Sequence, residues 1–292
     1  MTQDLQGVLT ALATPFDVGG DVDVPALRFL VDRSIDGGVD GLVACGSTGE
    51  FAALSTDERR LVVDTVVEHT AGRVPVVAQT GASSTAEAIR LTNEARASGA
   101  DVAMLVTPYY EPLTLPETVN YVREVTGLVD LPIMLYNIPS ATGVNLDPDT
   151  VGGLAREIDT IRYVKDSSAN MEQALQLIHH HADHVATFVG WDSLIHASLM
   201  EGAAGVLAGA ANVVPTEIVA VYRAVGDGDH ARALTAWKHV YPVIDALISV
   251  PFMPAIKSAM ASLGHPIGSP RRPVADLAPE HARRIEKLLY AL

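Results

Sequence analysis

Lys165 is the one lysine that precedes position 238 in a chain of 292 residues with only four lysines and sixteen arginines. It closes the strand-like run Ile161-Arg162-Tyr163-Val164-Lys165, and the polar turn Asp166-Ser167-Ser168-Ala169-Asn170 follows. A guanidinium stays protonated and cannot attack a carbonyl, whereas a lysine amine can once a dry environment disfavours its ammonium form. On this strand alone, a lysine that merely reaches solvent is the plainer reading. A second run, Pro132-Ile133-Met134-Leu135-Tyr136, ends in a phenol. Period-two alternation puts Ile161, Tyr163 and Lys165 on one strand face, and Pro132, Met134 and Tyr136 on one face of the preceding strand. With both faces turned inward, amine and phenol become neighbours. A phenol beside an amine can shuttle the protons that carbinolamine formation and dehydration require. Gly46-Ser47-Thr48-Gly49 adds two hydroxyls and flexible backbone N–H groups, a cradle for a carboxylate.

Other strand ends carry Thr107-Pro108-Tyr109-Tyr110, Gly190-Trp191-Asp192-Ser193 and Leu207-Ala208-Gly209. A Pro-Tyr-Tyr loop suits a subunit contact as well as a site. Asp192 can shape specificity or cap a helix, and Ser47 and Thr48 can cap the helix that follows them. Cys45, beside the proposed site, reads as a small buried side chain. His179-His180-His181 with His184 invites a metal reading, but consecutive helical residues point apart. A solvated helix end is the better account, and no metal site is expected. No glycine-rich phosphate loop stands at a strand–helix junction, so nucleotide binding has no support.

These residues need elements that bring strand ends together. Eight short apolar runs, at 8–13, 41–45, 74–79, 102–106, 132–136, 161–165, 185–189 and 205–208, alternate with amphipathic helical patterns. Such alternation implies right-handed crossovers and a parallel sheet, and eight units in about 210 residues fit a closed α/β (β/α)8 TIM barrel. Ser55, Ser84 and Thr114, each with Glu three residues on, have the capping-box form, and Asp147-Pro148 offers an N-cap with proline at the first helical position. Helical patterns at 217–225, 231–249, 254–263 and 279–290 form a C-terminal extension. The expected organisation is therefore a barrel over 1–215 and a helical region over 216–292.

Composition narrows the function. Hydrophobic residues are 48% of the chain and the net charge is −15, which argues against nucleic acid and anionic membrane surfaces as partners. No apolar stretch approaches ~18 residues, so no membrane span is expected. A single cysteine rules out an intramolecular disulfide framework. Met1-Thr2-Gln3-Asp4 lacks the basic start of a signal peptide, and a cytoplasmic location is expected.

Gly46-Ser47-Thr48-Gly49-Glu50, Tyr136-Asn137-Ile138-Pro139 and Lys165-Asp166-Ser167-Ser168, in that order and spacing, resemble the dihydrodipicolinate synthase/N-acetylneuraminate lyase family. The resemblance runs from about Val8 to the C-terminus and takes in Thr107-Pro108-Tyr109-Tyr110. It implies a class I aldolase in which a lysine forms an imine with pyruvate or another 2-oxo acid, without metal or other cofactor. By this resemblance Lys165 is the Schiff-base lysine, Tyr136 the proton shuttle and Thr48 its relay partner. Gly46, Ser47 and Thr48 would bind the substrate carboxylate, with Asp192 and Leu207 as further substrate contacts. Tyr110 looks like a second tyrosine, which some members donate across a subunit interface. A homo-oligomer, a dimer of dimers, is implied.

Departures from the pattern bear on the second substrate. Dihydrodipicolinate synthases usually carry an arginine two residues after the proline of Tyr-Asn-x-Pro, where this chain has Ala141. Losing a charge-assisted contact to a carboxylate forfeits roughly 1.5–3 kcal/mol. Ser47-Thr48 looks more like the sialic-acid lyase branch, although that branch tends to have Asp-Glu where Asp192-Ser193 stands here. Ala169 replaces a frequent glycine. The expectation is a lyase for a 2-keto-3-deoxy sugar acid or related 4-hydroxy-2-oxo acid, with pyruvate as donor or product. The alternatives are 4-hydroxy-tetrahydrodipicolinate synthase, with the arginine's task moved elsewhere, and a deoxy-keto sugar acid dehydratase. A 2-oxo-acid sensor is the non-enzymatic reading.

Overall fold

A computed structural model describes residues 5–292; the tetrapeptide read for the absence of a signal peptide lies outside the described residues. Eight strands, β1 (Gly7–Ala11), β2 (Gly41–Ala44), β3 (Val76–Gln79), β4 (Val102–Val106), β5 (Ile133–Asn137), β6 (Ile161–Asp166), β7 (Ala186–Val189) and β8 (Gly205–Ala208), follow one another in a closed parallel barrel with helices between them. The expected (β/α)8 barrel with C-terminal helices is thus the fold. Nearly every strand residue is buried, which is why the strands read as unbroken apolar runs in the sequence.

Strand limits differ from the sequence reading where a side chain takes over the pairing. The first run stops at Ala11 because the Ala13 N–H is given to Asn212 Oδ1 at 3.0 Å. The third begins at Val76, whose N–H goes to Asp101 Oδ2 at 2.8 Å, after a proline that has no N–H to give. β5 and β6 each run one residue further than expected, into Asn137 and Asp166, which pair with each other.

The chain divides into two compact units, Pro75–Leu207 with Leu5 and Gln6, and Gly7–Val74 with Ala208–Leu292. In the first, helix Thr85–Ser98, helix Leu115–Thr126, helix Pro148–Glu157 and helix Met171–His180 accompany β3 to β7. Its core joins Leu105, Ile133, Leu135 and Val164 to Tyr121, Val122, Leu154 and Leu177. In the second, β1 and β2 pair with Leu9 beside Gly41. Helices Pro215–Gly226, His230–Ile248, Phe252–Ser262 and Pro279–Leu289 follow β8, near the ranges that the helical patterns gave.

The capping signals hold with one exception. Ser55–Glu58 and Thr114–Glu117 are full capping boxes, and Asp147 caps its helix through the Thr150 N–H. At Ser84 only half a box forms, because the Glu87 carboxylate pairs with Arg90 at 2.6 Å instead of reaching back.

The histidine run ends helix Met171–His180. His181 is buried against Gly152, where a Cβ would stand 2.1 Å from Nδ1, and neither ring nitrogen has a hydrogen-bond partner. Burial, helped by Arg156, His180 and His184 and opposed by Asp149, holds its pKa below the ordinary imidazole value. The unfolded chain therefore binds this proton more readily than the fold does. Stability from neutral His181 is complete above the unfolded value of about 6.5 and is lost as pH falls below it. His181→Phe is expected to show a smaller fall in Tm between about pH 7 and pH 5 than the parent chain. An equal fall in thermal melts would remove His181 from the acid sensitivity.

Candidate active site

Tyr136 and Lys165 are register partners on neighbouring strands, so both side chains leave the sheet on the same face. Both are buried, and Lys165 Nζ lies 4.1 Å from the centroid of the Tyr136 ring. An amine in this position is shielded from water and held by the ring face, the arrangement the sequence reading required. Phe188, the next register partner, stands beside Lys165 on β7.

The lysine side chain lies over a glycine. A Cβ on Gly190 would sit 2.5 Å from Lys165 Cε and 2.3 Å from Ser167 Oγ. Gly190 is pinned by its own N–H, which donates to the Asp166 carbonyl at 2.8 Å, so the backbone cannot give way cheaply. Gly190→Ala is expected to lower kcat roughly 100-fold in a folded protein, because the amine must move by about an ångström. Steady-state rates within threefold of the parent would show that the lysine needs no such room. Sequence reasoning noted Gly190 only as the lead-out of strand seven.

In the other unit, Gly46 to Glu50 form a tight loop after β2. The Gly49 N–H donates to the Gly46 carbonyl at 3.0 Å and the Glu50 N–H to the Ser47 carbonyl at 3.1 Å. Thr14 Oγ1 donates to the Gly49 carbonyl at 2.7 Å. Cys45 and Glu50, at either end, both have left-handed backbone, with φ of 57° and 56°. Ser47 is exposed and Thr48 half-buried; Thr48 Oγ1 approaches within 3.1 Å of where a Cβ on Gly209 would stand. The short turn Phe51–Ala53 begins at Glu50, whose side chain makes no capping bond to it.

Glu50 anchors the loop. Its carboxylate pairs with Lys257 Nζ at 3.0 Å and accepts the Arg271 backbone N–H at 2.9 Å. Lys257 also donates to the carbonyls of Thr14 at 2.9 Å and Ser269 at 3.1 Å. Nothing in the apolar run around Lys257 signalled this buried pair. The Cys45 thiol is pushed up to about 12 by burial and donates to the Arg59 carbonyl at 3.5 Å, which fits an inert side chain.

Asp192 is buried at the start of the turn Asp192–Leu194, and Leu207 is buried within β8. Tyr109 is half-buried, while Tyr110 is 83% exposed. His179 pairs with Glu201 at 3.3 Å. Among the described residues no group of three or more His, Cys, Asp or Glu side chains is gathered to hold a metal ion, and no helix is long and apolar enough to cross a membrane.

A parallel eight-stranded barrel with a buried amine and a phenol paired at the C-terminal ends of adjacent strands has the form of a class I aldolase. The sequence model of the Dihydrodipicolinate synthetase family matches residues 4–292. The 4-hydroxy-tetrahydrodipicolinate synthase of Thermomicrobium roseum is 40% identical over 288 residues, covering 99% of this chain and 94% of that protein. Dihydrodipicolinate synthase from Aquifex aeolicus superimposes with a TM-score of 0.94 at 34% identity, covering 98% of this chain and 97% of that one. YagE, an E. coli prophage protein of the dihydrodipicolinic acid synthase family solved in complex with pyruvate, gives a TM-score of 0.94 at 30% identity, covering 99% and 98%. The chain belongs to the dihydrodipicolinate synthase family of Schiff-base aldolases.

Proposed function

We propose that this chain makes or breaks a carbon–carbon bond through an imine between Lys165 and pyruvate. The observation that carries the reading is the buried Lys165 amine over the Tyr136 ring at 4.1 Å. The amine adds to the C2 carbonyl of pyruvate, and the carbinolamine loses water to give the iminium. Loss of a C3 proton then yields an enamine, whose carbon attacks an aldehyde; hydrolysis of the new iminium returns the lysine. Tyr136 moves the protons of addition and dehydration, relayed by Thr48. Gly46, Ser47 and Thr48 hold the carboxylate, Asp192 and Leu207 bound the aldehyde half, and no metal or separate cofactor takes part. Exposed Tyr110 suits a side chain offered to a second copy of the chain, in keeping with a dimer of dimers.

The names of the relatives favour aspartate semialdehyde as the aldehyde, which makes the chain a 4-hydroxy-tetrahydrodipicolinate synthase, the alternative rather than the main expectation from the sequence. One observation favours the other reading, aldol chemistry on a 2-keto-3-deoxy sugar acid. Position 141, in helix Pro139–Thr142, is an exposed alanine with no charge to offer a second carboxylate. Pyruvate with borohydride, followed by peptide mapping, tests the imine. Parallel assays with aspartate semialdehyde and with a panel of keto-deoxy acids then separate the two. A folded protein without a reduced adduct on Lys165 overturns the proposal.

A further inference from the structure

Beyond the amine and the phenol, β5 and β6 carry one more register pair, Asn137 beside Asp166, whose side chains alternate to the opposite face. Four side chains close a ring there. Asn137 Nδ2 donates to Asp166 Oδ1 and to Asn145 Oδ1, both at 2.9 Å. Asn145 Nδ2 donates to Gln173 Oε1 at 2.9 Å, and Gln173 Nε2 returns to Asp166 Oδ1 at 3.0 Å. Ser168 Oγ donates to the second Asp166 oxygen at 2.8 Å, and the Leu146 N–H donates to Asn137 Oδ1 at 2.9 Å. Asn137, Asp166 and Gln173 are buried.

An amide nitrogen donates only, so the Asp166 oxygen that accepts from both Asn137 and Gln173 dictates which way every amide in the ring points. Turning any one of them would set two donors or two acceptors face to face. The ring is therefore directional in a way that the apolar pairs beneath it, such as Leu135 with Val164, are not. The pairing below is also irregular. Ile133 pairs with Ile161 but Met134 with Tyr163, which leaves Arg162 as an extra residue. Alignment at the N-terminal ends of the two strands thus does not carry through to Tyr136 and Lys165. Past the shift the pairs from Met134–Tyr163 to Asn137–Asp166 run in continuous register, and the last of them is tied by the ring.

We propose that Asp166, Gln173, Asn137 and Asn145 form a positioning ring that sets the register of β5 against β6 and so keeps the Lys165 amine over the Tyr136 ring. The inference rests on the imine reading of Lys165. Asn137 and Asp166 leave the sheet on the face opposite Tyr136 and Lys165, so the ring acts through where the amine stands. The test compares rates of borohydride-trapped pyruvate adduct on Lys165 at saturating pyruvate, together with Tm, in the parent chain and four variants. Asp166→Ala and Gln173→Leu are expected to slow adduct formation at least about tenfold, and Asn145→Ala about threefold, with half-saturating pyruvate changed less than about twofold. Asp166→Asn keeps an acceptor oxygen in the ring, and is expected to recover most of what Asp166→Ala loses. Asn145 is exposed, so its variant keeps the test open if the buried changes prevent folding. A ring that serves stability alone would lower Tm and leave the adduct rate of the folded variants at the parent value, and that result overturns the inference. A parent chain that forms no adduct overturns the imine reading instead, and this inference with it.

Discussion

Lys165→Ala is expected to cut turnover by roughly 10⁴-fold or more and to abolish the borohydride-trapped pyruvate adduct, with the fold intact. The size follows from the proposed chemistry, in which no covalent intermediate forms without the amine and the C3 carbon of pyruvate loses its electron sink. The fold should survive, because the change removes a cation–π contact of about 0.5–2 kcal/mol and also relieves the burial of an amine. Lys165→Arg separates charge from nucleophilicity, because it keeps a cation near Tyr136 and offers nothing that adds to a carbonyl. It should be as inactive as the alanine variant. Residual turnover above about one per cent in either, measured on protein with native circular dichroism, would end the case for a lysine imine.

The largest effect on stability is expected at Lys257. Its ammonium lies 3.0 Å from the Glu50 carboxylate and 4.2 Å from the centroid of the Phe16 ring, with Arg271 Cζ 4.4 Å from the same ring. Burial lowers the Lys257 pKa and the Glu50 charge opposes it, so the pair holds only while both partners are present. Lys257→Met leaves Glu50 buried without its paired ammonium, with the Arg271 backbone N–H still donating to it. Breaking such a pair costs about 3–5 kcal/mol, which should lower Tm by on the order of 10 °C. Combining it with Glu50→Gln removes the stranded charge and should restore part of the loss. A single variant that melts within about 2 °C of the parent would mean that the Glu50 charge is accommodated without Lys257.

Much of this was legible in the sequence, for a physical reason. Parallel strands buried on both faces spell themselves as apolar runs, and period-two alternation set Tyr136 and Lys165 on faces that the register does align. Strand ends were harder, because polar residues read as turns even where pairing continues. The sequence reading closed β5 at Tyr136 and β6 at Lys165, yet Asn137 and Asp166 are the pair that carries the hydrogen-bonded ring. Gln173 offered no signal, since a glutamine in a helix is ordinarily a solvated one. Lys257 was hidden differently. Its partner stands 207 positions earlier in the chain, and no local pattern announces a contact of that span. Ser84-Thr85-Ala86-Glu87 carried the right letters for a capping box, but Arg90 competes for the same carboxylate.

The chemistry of Cys45 has a practical side. It is the sole thiol in the chain, it is buried, and it holds its proton up to about pH 12. Thiol-directed oxidants and alkylating agents act on thiolates, so Cys45 in the native protein should pass through both unmarked. Any cysteine introduced at an exposed position, Leu128 for example, would then be the only addressable thiol. A fluorophore or spin label could be attached there without first deleting the natural one, and the chain comes ready-made for single-site labelling.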